Sequence, residues 1–97
     1  MGLYYEAHVT IDPVEGVRLE FFRDLCATHR FRVAELLMRK PCGKLAPSTD
    51  DSFCTGRDAA LEPLSQRTLA LVADAQRHGY RVRRYKIEEA LVDVRLP

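Results

Sequence analysis

His8, Thr10, Thr55 and Arg57 are the residues of this chain whose types and spacing most suggest a site. A histidine titrates near neutral pH and can give or take a proton. A guanidinium grips a phosphate or carboxylate through two parallel N–H bonds, and hydroxyls can donate to the oxygens left over. With Glu6 two positions before His8, these five groups would form a patch for a small anionic ligand, and His8 is the candidate acid or base. The condition is geometric, since all five must share one side of a sheet. An uncovered sheet face is polar whether or not it binds anything, so the elements that carry these residues decide the matter.

The clearest element is a strand over 3–11. Leu3, Tyr5, Ala7, Val9 and Ile11 are apolar at every second position, and Tyr4, Glu6, His8 and Thr10 alternate with them. One face is therefore expected to pack and the other to meet solvent. Asp12-Pro13-Val14-Glu15 then reads as a helix start: Asp12 can cap, proline suits the first helical position, and Glu15 can close a capping box. Val14, Val17, Phe21, Phe22, Leu25 and Cys26 fall on one side at helical spacing, and the helix is expected to end near Thr28-His29-Arg30.

Residues 31–38 combine strand-like Phe31, Val33 and Leu37 with good helix formers from Ala34 to Met38, and no Gly or Pro separates them from the first helix. A strand is the preferred reading, and one long helix is the alternative. Residues 41–51 are a loop by composition, long for a hairpin connection and so a candidate functional loop. A short strand follows over 52–57. A second helix runs from Ala59 or Pro63 to His78, with Leu61, Leu64, Thr68, Leu71, Val72 and Ala75 on its apolar side and Arg77-His78-Gly79 as the stop. The last strand covers 80–92, and its alternation shifts phase between Val82 and Tyr85, which a bulge would reconcile.

The order β-α-β-β-α-β over one domain, 1–97, predicts a ferredoxin-like α+β sandwich. Its four-stranded sheet has the spatial order 4-1-3-2, with both helices on one face. Tyr4, Glu6, His8 and Thr10 then point to the open face of a central strand. The neighbouring third strand has two settings. Phe53 inward takes Thr55 and Arg57 away with it, whereas Cys54 inward brings Phe53, Thr55 and Arg57 to the open face.

His8-Val9-Thr10 on its strand resembles the His-x-Thr/Ser tripeptide of the two-histidine phosphoesterases, and one ferredoxin-like lobe of that family is similar in topology. The resemblance implies acid–base work by His8 on cyclic phosphodiesters or RNA ends. His29-Arg30-Phe31 and His78-Gly79-Tyr80 do not repeat the tripeptide, so a second histidine would come from a symmetric dimer.

Charge and composition exclude other classes. Lys plus Arg number 15 against 14 Asp plus Glu, which argues against nucleic acid as a partner. Nothing approaches the ~18 apolar residues of a bilayer span. Three cysteines without an export signal suggest reduced thiols and a cytoplasmic location. No Cys-x-x-Cys and no helical His pair offers a metal site, and no cofactor motif occurs. Cys26 reads as a small core residue, and Cys42, near Lys40 and Lys44, as the thiol with the most reactive setting. Arg81, Arg83, Arg84 and Lys86 read as charges that discourage edge pairing, followed at once by Glu88, Glu89 and Asp93.

The leading expectation is a non-enzymatic binding or interaction domain with an anionic small ligand on the sheet face, and with a second copy of itself, met through sheet faces or edges, as protein partner. The alternative is a phosphodiester-processing enzyme using His8, Thr10 and Arg57. Single-stranded RNA binding through Tyr4 and Phe53 is the third reading, although the third strand lacks the RNA-binding aromatic pattern.

Overall fold

The computed structural model describes residues 2–33 and 53–97. Strand β1 (Tyr4–Ile11), helix α1 (Val17–Thr28), strand β2 (Arg32–Val33), strand β3 (Phe53–Asp58), helix α2 (Leu61–Arg77) and strand β4 (Val82–Ala90) follow in order. The sheet runs β2-β3-β1-β4, and every neighbouring pair is antiparallel. This is a ferredoxin-like α+β fold with β1 and β3 at the centre, as the element order predicts.

The period-two pattern of β1 does the positioning. Ala7, Val9 and Ile11 are fully buried against the helices, together with Cys54 from β3. Phe22, Leu25 and Cys26 from α1 and Leu64, Leu71 and Ala75 from α2 complete one core with Phe31 and Tyr80. Thr68 is a buried polar residue of this interior, and its hydroxyl is satisfied within the helix, donating to Leu64 O at 2.7 Å. Leu3, expected on the packed face, lies beyond the strand start and is 59% exposed.

Helix α1 departs from the sequence reading at its start. It begins at Val17 behind Gly16, whose φ of 63° only glycine adopts readily, and no side chain caps it. Asp12 is engaged elsewhere: its N–H donates to Arg81 O at 2.9 Å, and its carboxylate lies 3.5 Å from Arg83 Nε and 3.8 Å from Arg81 Nε. The helix therefore starts later, and its buried side is Leu19, Phe22, Leu25 and Cys26; Val17 is 83% exposed and Phe21 42%. On α2, Leu64, Thr68, Leu71 and Ala75 are buried as expected, and Leu61 is exposed.

Both helices end in the same way. Arg30 N donates to Ala27 O and Phe31 N to Cys26 O; Gly79 N donates to Gln76 O and Tyr80 N to Ala75 O. Each is a left-handed turn that satisfies the last carbonyls, with φ 61° at Arg30 and 84° at Gly79. A non-glycine residue in that conformation is what separates α1 from β2 where neither Gly nor Pro marks a break. The strand expected over 31–38 is present at Arg32–Val33; residues 34–38, the loop 41–51 and Cys42 lie outside the described residues.

Candidate binding face on the open side of the sheet

Register decides which side chains share the open face. Glu6 pairs with Arg57, His8 with Thr55 and Thr10 with Phe53 across β1 and β3, so Cys54 and Gly56 point inward while Phe53, Thr55 and Arg57 point outward. This is the second of the two settings of the third strand. On the other side, Glu6 pairs with Glu88, His8 with Lys86 and Thr10 with Arg84. Arg32 enters the same face by pairing with Thr55. The phase shift in β4 is a register break: Thr10 pairs with Arg84 but Ile11 with Val82, which leaves Arg83 as the extra residue of a bulge.

All five residues singled out in the sequence therefore lie on one face, but Glu6 stands between two of them. Arg57 Nε donates to Glu6 Oε2 at 2.7 Å, and Glu6 Oε1 lies 3.1 Å from His8 Nε2. The chain's own carboxylate thus holds the place where imidazole and guanidinium would share a bound anion. Glu88 Oε1 is a further 3.6 Å from the same ring nitrogen, and on the ring's other side Thr55 Oγ1 lies 3.4 Å from Nδ1. The hydroxyl meeting the imidazole is therefore that of Thr55 rather than Thr10 of the tripeptide. Lys86 Nζ reaches Glu88 at 3.2 Å.

The Arg57 guanidinium also lies over the Tyr4 ring, 4.8 Å from its centroid. Its proton is held more tightly than usual, chiefly by the Glu6 hydrogen bond. Tyr4 in turn donates its O–H to Asp93 Oδ2 at 2.8 Å, and that bond raises its pKa. This places the segment after β4 over the same end of the face. Phe53 sits at the other end, its ring 6.3 Å from that of His8. Since Phe53 pairs with Thr10, six residues from Tyr4, about 20 Å of strand separates the two aromatics. The stacking pair expected of Tyr4 and Phe53 is not formed, because register sets them at opposite ends.

Beside this network lies an open hollow of about 510 Å³, lined by Glu6, Thr55 and Gly56 with Arg30, Arg32, Arg57 and Arg95. Four guanidiniums against one carboxylate make it strongly basic. Arg57 is paired to Glu6, and Arg95 Nε lies 3.7 Å from Asp93. Arg30 and Arg32 have no carboxylate at ion-pair distance among the described residues. Sequence reasoning missed Arg30, Arg32 and Arg95. Arg32 was within reach once β2 was set in register with Thr55, whereas Arg30 depends on the left-handed helix end and Arg95 on the course of the terminal segment.

Behind the hollow, Arg67 of α2 fixes the edge. Its guanidinium donates to His29 O and Arg30 O at 3.2 Å each and to Arg57 O, and it lies 3.7 Å from Asp58 Oδ2. Its ion centre is 5.5 Å from the Phe31 ring centroid, and Phe31 in turn packs on Gly56. Arg67 is therefore committed to backbone and holds the rim in place.

Neither described cysteine is suited to nucleophilic chemistry. Cys26 and Cys54 are fully buried, and the Cys26 thiol is pushed up, first by its hydrogen bond with Cys54 and then by burial. No group of three or more His, Cys, Asp or Glu that could hold a metal occurs among the described residues. No described helix is long and apolar enough to cross a membrane. Fold and face together define a ferredoxin-like α+β domain with a polar, arginine-rimmed open sheet. Set against family models, curated proteins and solved structures, the chain gives no match.

Proposed function

We propose that this chain is a non-enzymatic binding domain whose open sheet face takes a small anionic ligand, seated in the arginine-lined hollow and reaching toward Thr55. The observation that carries the reading is the local imbalance of charge. Arg30, Arg32, Arg57 and Arg95 line one hollow with Glu6 as the carboxylate among them, in a chain whose overall charge is nearly balanced. Guanidiniums suit phosphate or carboxylate because they offer paired, planar donors. Strand positions such as Arg32 and Arg57 hold those donors more rigidly than a loop does.

Titration with inorganic phosphate or a nucleoside monophosphate, followed by NMR, tests the reading. The amides of Arg32, Thr55, Gly56 and Arg57 should shift together and saturate. Arg32→Ala or Arg57→Ala should each weaken binding roughly tenfold, as expected for a charge-assisted hydrogen bond of about 1.5 kcal/mol. Unmoved signals along β2 and β3 up to millimolar ligand would dispose of the proposal.

One arrangement favours the enzymatic alternative. Glu6, His8 and Thr55 line up as carboxylate, imidazole and hydroxyl at 3.1 Å and 3.4 Å, an order that can hold the ring in one orientation. In that reading His8 processes a phosphodiester. Turnover of a cyclic nucleotide that disappears in a folded His8→Ala variant would support it, and equal turnover in that variant would remove it. The protein partner in either reading is a second copy of the chain.

A further inference from the structure

We propose that the second copy pairs edge to edge through β4, antiparallel, about a twofold axis at Lys86, so that two four-stranded sheets join into one of eight. The inference rests on the homodimer reading above and adds its surface and register. Among the described residues β4 has a neighbour on one side only, so its outer backbone groups form a free edge. Such an edge is a template for another strand, and the question is which strand it accepts.

The sequence of β4 answers through its charge order. Arg84 and Lys86 lie in its first part and Glu88 in its second, all on the open face. A strand with its own basic residues opposite this run meets it unfavourably. The same strand turned antiparallel brings its own acidic end opposite the basic one. An axis at Lys86 sets Arg84 of each copy against Glu88 of the other and, on the helix side, Tyr85 against Ile87. Both contacts occur twice by symmetry.

Other registers do less. An axis at Tyr85 opposes Arg84 with Lys86, and one at Glu88 opposes that residue with itself. An axis at Ile87 repeats the Lys86–Glu88 pair that each chain already makes at 3.2 Å, and it leaves Arg84 opposite Ala90. Registers displaced by a single residue would set the open face of one copy against the packed face of the other. Only the Lys86 axis gives Arg84 a carboxylate, and Arg84 forms no ion pair within the chain among the described residues. It also covers Tyr85, which is 46% exposed on the helix side because the sheet ends there. The two Lys86 side chains meet at the axis, each already held by its own Glu88. The bulge at Arg83 ends the pairable run, so the contact is short and the association should be concentration-dependent.

Sedimentation of the full chain over a range from tens of micromolar to about a millimolar should show mass rising from one chain toward two. Arg84→Glu and Glu88→Arg should each weaken self-association by about tenfold or more, because two attractive cross-strand pairs become repulsive. An equimolar mixture of those two variants should form a heterodimer, since both pairs between positions 84 and 88 are then opposite in sign, a result that a misfolded variant cannot mimic. Lys86→Cys in a Cys42→Ser background should cross-link to itself under oxidised glutathione, and Arg84→Cys should not. A mass of one chain at every concentration overturns both the homodimer and this edge. A dimer that survives Arg84→Glu, or two variants that fail to associate on mixing, overturns the β4 register and leaves the homodimer to another surface.

Discussion

Gly56→Ala is the sharpest test of how the rim of the hollow is built. Gly56 lies on the packed side of β3, and a Cβ there would come 2.8 Å from Phe31 Cε1, 2.9 Å from Cζ and 3.0 Å from Cδ1. Carbon atoms pack at ~3.5–4.0 Å, so the ring must retreat by about 0.5–1 Å. It has little room, being 2% exposed and held between the sheet and the Arg67 guanidinium. Overpacking of this kind costs about 1–3 kcal/mol. Against it stands a gain of about 0.5–1 kcal/mol from replacing a flexible glycine in a strand. The clash should win, with a net loss near 1–2 kcal/mol and, at ~4–8 °C per kcal/mol for a domain of this size, a Tm lower by roughly 5–15 °C. Urea unfolding followed by far-ultraviolet circular dichroism reads the change as a lower midpoint at constant slope. Phe31→Leu in the same chain should recover part of the loss, giving a coupling energy of at least about 0.5 kcal/mol in a double-mutant cycle. A Gly56→Ala protein as stable as the parent, or strictly additive effects, would refute the reasoning.

Leu71→Ala, at a fully buried position in the core, should cost about 2–5 kcal/mol in the same denaturation assay, and a loss below 1 kcal/mol would mean the helix–sheet interface is poorly packed. Asp74 has its pKa lowered, first by the hydrogen bond with His29 and then by Arg77 and the histidine charges, so its contribution is present above the unfolded carboxylate value of about 3.9 and lost as pH falls through the folded one. Asp74→Asn should therefore lower stability at neutral pH and match the parent in strong acid; a difference that persists undiminished in acid would show that the charge is not the cause. Glu6→Gln frees Arg57 and removes the negative charge in the hollow, so phosphate affinity should rise about fivefold, the equivalent of an exposed ion pair of ~1 kcal/mol. Unchanged or weaker phosphate binding would place the anion elsewhere.

The parts of the fold legible in the sequence are those where one face meets one layer. Strict alternation in β1 sets the buried trio Ala7, Val9 and Ile11, and the spacing of Leu64, Thr68, Leu71 and Ala75 sets the packed side of α2. The start of α1 departs from the capping-box pattern because that pattern is a local signal and the contacts that win are not local. Asp12 is drawn to Arg81 and Arg83 at the start of β4, and the helix waits for Gly16. The facing of β3 was ambiguous because Phe53 and Cys54 are adjacent and both apolar. The smaller residue fits beneath the helices, and the ring is left half-buried on the open side. Within the candidate site, shared facing followed from strand parity. The insertion of Glu6 between His8 and Arg57 did not, because it depends on how three long side chains settle across two strands.

Arg67 has a consequence for how the molecule opens. One side chain from the middle of α2 gathers carbonyls from the end of α1, the turn into β2 and the end of β3. The centre of that helix cannot come away without stranding acceptors in all three places at once. Local opening there should be a single event, so amide hydrogens in central α2 and at the outer end of the sheet would exchange with deuterium at one common rate rather than fraying independently.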